Sequence, residues 1–293
     1  MPILKVERKI LKNFEKKIET LRRIVEKKLH SLLICKNEHA KELYNIFHYH
    51  LGWKNIDGEI EDGTSGKMLR SIFGLMCCES VKGNIETILP GMAAIELLHN
   101  FSLIHDDIQD EDELRRGRKT VWTLWGKAQA INAGDAMFTI ARNALLELKK
   151  TTSIEIAFDC IQAMDETCMK ICEGQHLDMA YEKTQNIDVD SYIRMVNLKT
   201  GSLWGFAGYI GVYASIKDVE VAEKFRMIGE NIGIAFQIQD DILSIWGDKK
   251  IIKKSQSDIC RHKKNLPVVY ALCNKSPKAL DFSQIYHKNI ITE

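Results

Sequence analysis

The sequence predicts an all-α protein folded as a single-domain bundle of about ten or more helices. Apolar residues recur at helical spacing in almost every long segment, as in "SIEIAFDCIQAMDETCMKICEG" and "VAEKFRMIGENIGIAFQIQDDILSIWG". Alternation at strand spacing is absent. Only four prolines interrupt 293 residues, and no Pro/Gly/Ser-rich linker divides them, which favours one deep core over residues 1–293 rather than two domains. With 45% hydrophobic and 28% charged residues and a net charge of +1, the composition excludes a disordered chain and a polyanion-coating surface. No nucleic-acid partner is expected.

In chain order, residues 1 to about 34 form a Lys/Glu-rich helix. Its positive and negative charges are interspersed, so it reads as a solvated face rather than a membrane anchor. It lacks the apolar centre of a signal peptide, and no later stretch runs to eighteen uninterrupted apolar residues; a cytoplasmic protein without a transmembrane segment is expected. Breaks are expected near 37, at 53–66, near 81 and 115, at 174–186, near 199 and 215, and at 246–258, where turn formers and charges cluster. The cysteines show no CxxC and no zinc spacing, so they read as reduced packing thiols, Cys168 and Cys172 included. Trp122, Trp125 and Phe138 read as core.

The chemistry concentrates in "SLIHDDIQDEDELRRGRK", residues 102–119, where acids and then cations crowd behind an apolar helix. Asp106 and Asp110 stand at i and i+4 and project from one helix face, with Asp107 about 100° round and within reach of the same space. Carboxylates gathered at the end of a buried helix repel and need a cation between them. Magnesium suits them, since it prefers oxygen ligands and is held by one or two carboxylates plus substrate phosphates. A solvated helix end is the ordinary reading of such a run. Against it, "NIGIAFQIQDDILSIWGD" repeats the pattern far downstream, with Asp240 and Asp241 ending a second apolar helix and Gln237 one turn before. Two such helices facing one cavity would present carboxylates from both walls, as a multi-metal diphosphate site requires.

From "YHLGW" at 49 to "NLPVVYAL" at 265–272 the sequence resembles the trans-isoprenyl diphosphate synthases, all-helical prenyltransferases built around a central active-site cavity. "DDIQD" with "RRG" is similar to the family's first aspartate-rich motif and "FQIQDD" to its second. "GKMLR", "LLH", "KTG" and "SDICRHKKNLP" match its other ordered motifs. The resemblance implies condensation of an allylic diphosphate (dimethylallyl, geranyl or farnesyl) with isopentenyl diphosphate, with Mg2+, three ions when substrate is bound, and a homodimer. It implies metal ligation by Asp106, Asp107, Asp110 and Asp240, with Asp241 or Asp248 assisting. Arg115, Lys199, Lys254 and Lys263 would complete a cationic clamp on the ionising diphosphate, and Thr200 and Gln237 would add hydrogen bonds. Lys67, Arg70, His99 and Arg116 would hold the diphosphate of the acceptor. His105 would support the first motif structurally.

The family pattern also makes Phe101 the floor that stops chain growth, beside the small Ser102. The product expected is geranylgeranyl diphosphate, with the fifteen- and twenty-five-carbon chains as neighbours. Several positions depart from the pattern. Ser244 replaces a third aspartate, Ser71 and Lys119 stand where proline is usual, and the C-terminus is short, so the far wall of the cavity could be incomplete. A class I terpene cyclase and a non-catalytic subunit of a heteromeric synthase remain as alternatives, the first disfavoured by the acceptor cations and the second by retention of both aspartate pairs.

Overall fold

The computed structural model of the chain describes residues 2–61, with backbone alone over 2–10, then 66–184, 186–247 and 262–286. The helices are α1 Pro2–Leu32, α2 Lys41–His50, α3 Leu69–Ser80, α4 Ile85–Gln109, α5 Val121–Leu146, α6 Ile154–Glu182, α7 Val189–Val196, α8 Ser202–Ile216, α9 Val219–Trp246, α10 Leu266–Cys273 and α11 Pro277–Tyr286. Their starts are written locally. Asn84, Ser153, Asp188, Asp218 and Asn265 each precede a helix and accept a first-turn amide, which satisfies a donor that the helix itself cannot.

Helix α4 is the axis of the fold. Ile88, Met92, Ala93, Ala94, Ile95, Leu97 and Leu98 are fully buried, and they point in all directions because α1, α3, α5 and α8 surround the helix. At roughly 1.5–3 kcal/mol per large apolar side chain, this packing outweighs the backbone bond lost at Pro90, a cost of about 3 kcal/mol. By length and composition α4 could cross a membrane, yet 67% of the stretch is buried within the fold, as a core helix is. A second, smaller apolar cluster joins Ile187, Tyr192, Met195, Val196 and Val269, and ties α7 to α10 beside the ends of α6 and α9.

Two expectations need correction, while the break expected near 115 is a small hairpin: β1, Leu114–Arg115, pairs antiparallel with β2, Arg118–Lys119, across Arg116 and Gly117, both at positive φ (55° and 79°). That is the backbone a two-residue hairpin loop requires, and two-residue strands are too short to show alternation. The expected break at 174–186 is mostly helix, since α6 continues to Glu182. At 197–201 the chain does not break either; it widens into a π-turn, Asn197–Gly201, that joins α7 to α8.

Candidate active site

The C-terminal end of α4 delivers the first acids. Asp106 and Asp110 are successive turns of one face, with the Asp110 amide bonding the Asp106 carbonyl at 2.8 Å. Asp107 does not join them. It is buried and its Oδ1 accepts from Arg115 Nε at 2.7 Å and lies 2.6 Å from Arg115 Nη2, while its Oδ2 finds no partner. The hairpin therefore brings Arg115 to Asp107 as an ion pair, and burial raises the Asp107 carboxyl to about 6 against the pull of that arginine. Burial raises Asp106 too, with Lys199 opposing and Asp110 adding to the rise.

Two lysines stand against these acids. Lys199 Nζ donates to Asp178 Oδ2 at 2.6 Å, and Lys263 Nζ lies 3.0 Å from Asp110, 2.8 Å from Glu182 and 4.0 Å from Asp178. Both amines are raised despite burial, because the carboxylates around them favour the charged form. Asp178 and Glu182 were not singled out from the sequence. They repeat the i, i+4 spacing of Asp106 and Asp110, but they lie in the segment read as a break.

The reason α6 reaches Lys199 is Gly174. A Cβ there would stand 2.3 Å from the Lys199 backbone nitrogen, so only glycine lets α6 lie against the π-turn. Asp178 follows one turn later, and touches the lysine. The opposite side is built alike: a Cβ at Gly233 of α9 would stand 2.8 Å from Gly201 Cα, and one turn on, Gln237 Oε1 accepts from Thr200 Oγ1 at 3.1 Å. Lys199 and Thr200 are thus clamped between two helices, each by a close backbone approach.

Asp240 and Asp241 divide. Asp241 is buried and saturated: it accepts from Gln237 Nε2 at 2.9 Å, from the Tyr192 hydroxyl at 2.5 Å and from the Leu266 amide at 2.8 Å, so it anchors α10 to α9. Asp240 is exposed, and its charge is felt by Arg70. Ser244 donates back to the Asp241 carbonyl at 2.8 Å. Asp110, Asp178, Lys199, Thr200, Gln237, Asp241 and Lys263 line one cavity, whose lining does not include Asp106 or Asp240. Asp248 and Lys254 lie outside the described residues.

A second cationic group sits apart from the lysines. Arg70 Nη1 is 3.1 Å from His99 Nε2. A guanidinium can only donate, so Nε2 accepts and the imidazole proton resides on Nδ1. Burial, then Arg70 and Arg116, hold His99 well below the usual histidine range, so it is a neutral donor. Arg116 Nη2 comes within 3.1 Å of where a Gly66 Cβ would stand, and Lys67 is exposed just before α3. Phe101 is half-buried, edge-on to His105 at 4.8 Å and 5.4 Å from the Phe138 ring, while Ser102 bonds back to the His99 carbonyl. His105 reaches the Ile131 carbonyl at 3.3 Å, a structural contact.

These shifts predict acid lability. His50 is pushed down to about 3, by burial and then by Arg115 and Arg116, and His99, His48 and His30 are lowered chiefly by burial. An unfolded histidine takes up a proton below about pH 6.5 while these folded ones refuse it, so their stabilisation is present above that pH and lost as pH falls through it. Asp107 acts oppositely, since its raised pKa stabilises only below about pH 6. Asp106 and Glu96 are raised as well, chiefly by burial, so four rings stand against three carboxyls, and the rings prevail. The melting temperature should fall clearly between pH 7 and pH 5, and a flat profile in a thermal scan would show that the rings protonate freely in the fold.

The donor set suits magnesium. Asp106, Asp110 and Asp240 carry hard oxygen donors, the kind magnesium takes one or two at a time with phosphate oxygens completing its shell; among the described residues no three acidic, histidine or cysteine side chains converge at ion-binding geometry.

Comparison with known proteins follows the same lines. A family model described as polyprenyl synthetase matches residues 59–291. The geranylgeranyl diphosphate synthase of Mycobacterium tuberculosis is 37% identical over 239 residues, 81% of this chain and 67% of that protein. The (2E,6E)-farnesyl diphosphate synthase of Mycobacterium bovis is 35% identical over 230 residues, 78% of this chain and 63% of that protein. The chain therefore spans about two thirds of the length of these relatives. The crystal structure of a polyprenyl synthetase from Streptomyces coelicolor superposes with a TM-score of 0.84 at 33% identity, covering 93% of this chain and 79% of that one.

Proposed function

The chain belongs to the polyprenyl synthetase family, and from that premise we propose that it is a cytoplasmic trans-prenyltransferase that joins an allylic diphosphate head-to-tail to isopentenyl diphosphate. The observation that carries the reading is the separation of two cationic groups. Lys199 and Lys263 stand among carboxylates, whereas Arg70 and neutral His99 form a pair of their own. A reaction with one ionising diphosphate and one spectator diphosphate needs two such pockets.

Asp106, Asp110 and Asp240 are the proposed magnesium ligands; the ions, when bound, supply Lewis-acid neutralisation of the leaving diphosphate. Asp107, committed to Arg115, positions that arginine instead. Lys199 and Lys263 turn to the allylic diphosphate and offset the charge that develops on it. Thr200 adds a hydroxyl held by Gln237. Arg70, His99 Nδ1–H, Arg116 and Lys67 bind the acceptor diphosphate and aim its double bond at the allylic carbon. The proton lost after bond formation goes to the departing diphosphate, so no side chain need act as base.

Phe101 and Phe138 are the proposed floor of the tail channel, and the proposed product is the twenty-carbon geranylgeranyl diphosphate. Phe101→Ala is expected to lengthen the product by one or more isoprene units, read by chromatography of the dephosphorylated alcohols. An unchanged distribution would place the floor elsewhere. The working unit is proposed as a homodimer, consistent with exposed Ile154 and Phe158 on α6; light scattering at twice the chain mass checks it. The decisive assay supplies isopentenyl diphosphate with dimethylallyl, geranyl or farnesyl diphosphate and magnesium. A cyclic hydrocarbon formed without the acceptor would reveal a terpene cyclase, and no turnover with any pair would reveal a non-catalytic subunit.

A further inference from the structure

We infer that Glu96, acting through Ser71, is a positioning residue that sets the acceptor-diphosphate cations by capping their helix from outside. The inference rests on the proposed role of Arg70 and His99. Helix α3 begins after Met68, a left-handed residue (φ 51°) whose side chain gives no cap. The first amides of such a helix need an acceptor from elsewhere. Helix α4 supplies it: Glu96 Oε1 accepts from the Ser71 amide at 3.4 Å and lies 2.9 Å from the Ser71 hydroxyl, which also reaches the Met92 carbonyl at 2.6 Å.

Both side chains are buried, Ser71 completely and Glu96 to all but 4% of its surface. A buried carboxylate is costly unless charge or dipole compensates it. Burial raises the Glu96 carboxyl, and Arg70, the two Ser71 bonds and Arg116 oppose that rise in part; the N-terminus of α3 adds its dipole to them. Glu96 and His99 are also one turn apart on α4. One face of α4 therefore grips the start of α3 at two points, Glu96 on Ser71 and His99 on the Arg70 side chain. The direction in which Arg70 emerges follows from the first grip. A proline at position 71 would donate neither bond.

The test compares wild type, Ser71→Ala, Glu96→Gln and Glu96→Ala. Steady-state kinetics are combined with calorimetry of isopentenyl diphosphate binding in excess chelator. Glu96→Ala is expected to raise the Michaelis and dissociation constants for isopentenyl diphosphate roughly tenfold. Turnover and the allylic Michaelis constant should move less than about twofold. Glu96→Gln keeps an acceptor oxygen for Ser71 and should recover most of the loss, and Ser71→Ala should fall between. Acceptor constants unchanged in Glu96→Ala and Ser71→Ala that melt like wild type would overturn the inference, as would equal rises for both substrates. If Glu96→Ala does not fold, Ser71→Ala decides by the same criterion. A wild type that binds the acceptor yet condenses nothing would defeat the proposed function instead, and the calorimetric series would still judge Glu96.

Discussion

Asp106→Ala is expected to lower turnover by roughly 10²- to 10⁴-fold while leaving the fold intact. The two halves of this result have different causes. Asp106 is a half-buried carboxyl raised by desolvation and by Asp110 against the pull of Lys199, so the folded chain bears a net electrostatic cost there. Removing it should leave the melting temperature unchanged or slightly higher. Lys199 keeps its bond to Asp178 and the π-turn keeps its place. What is lost is a proposed metal ligand on the α4 wall, and with it the proposed neutralisation of the leaving group. Steady-state rates alongside circular dichroism and a thermal scan separate the two effects. Turnover within tenfold of wild type would remove Asp106 from the metal set.

Gly174→Ala should be nearly as damaging, although glycine carries no functional group. The new methyl would stand 2.3 Å from the Lys199 nitrogen and 2.7 Å from its Cα, and backbone cannot rotate aside as a side chain can. Either α6 or the π-turn must shift. Overpacking of this kind costs about 1–3 kcal/mol. Displacing Lys199 by about 1 Å can cost on the order of 100-fold in the rate. The loss should fall on kcat/KM for the allylic substrate, because the proposed acceptor residues Arg70 and His99 lie on α3 and α4 rather than on α6 or the π-turn. Binding of isopentenyl diphosphate should stay within about twofold. Wild-type allylic kinetics in this variant would show that the Gly174 contact does not set the position of Lys199.

Much of this site could be read from residue spacing. Asp106 with Asp110 follows from the 3.6-residue turn, and the second acid pair with Gln237 follows from the same rule on α9. Lys199 with Thr200, and Arg70 with His99, required the family pattern, since a lone lysine or histidine says nothing of what it faces. Ser244, in the place of a third acid, is explained only by its bond to its own helix.

By itself the sequence determined the helical class, the caps that start α4, α6, α7, α9 and α10, and the angular place of each acid on its own helix, because all of these are local. Only the tertiary structure decided what those acids meet. Asp107 and Asp106 are adjacent in the chain, yet one pairs with Arg115 of the hairpin and the other lies in the field of Lys199. Asp240 and Asp241 divide likewise, one exposed and one locked to Tyr192 and Leu266. Asp178 and Glu182 were hidden because a glycine and polar neighbours look like a loop when read locally. Gly174 is instead the point where two backbones touch. Helical periodicity fixes the direction of a side chain about its own axis, but which neighbour lies in that direction depends on how closely the helices pack, a property that belongs to the assembled core.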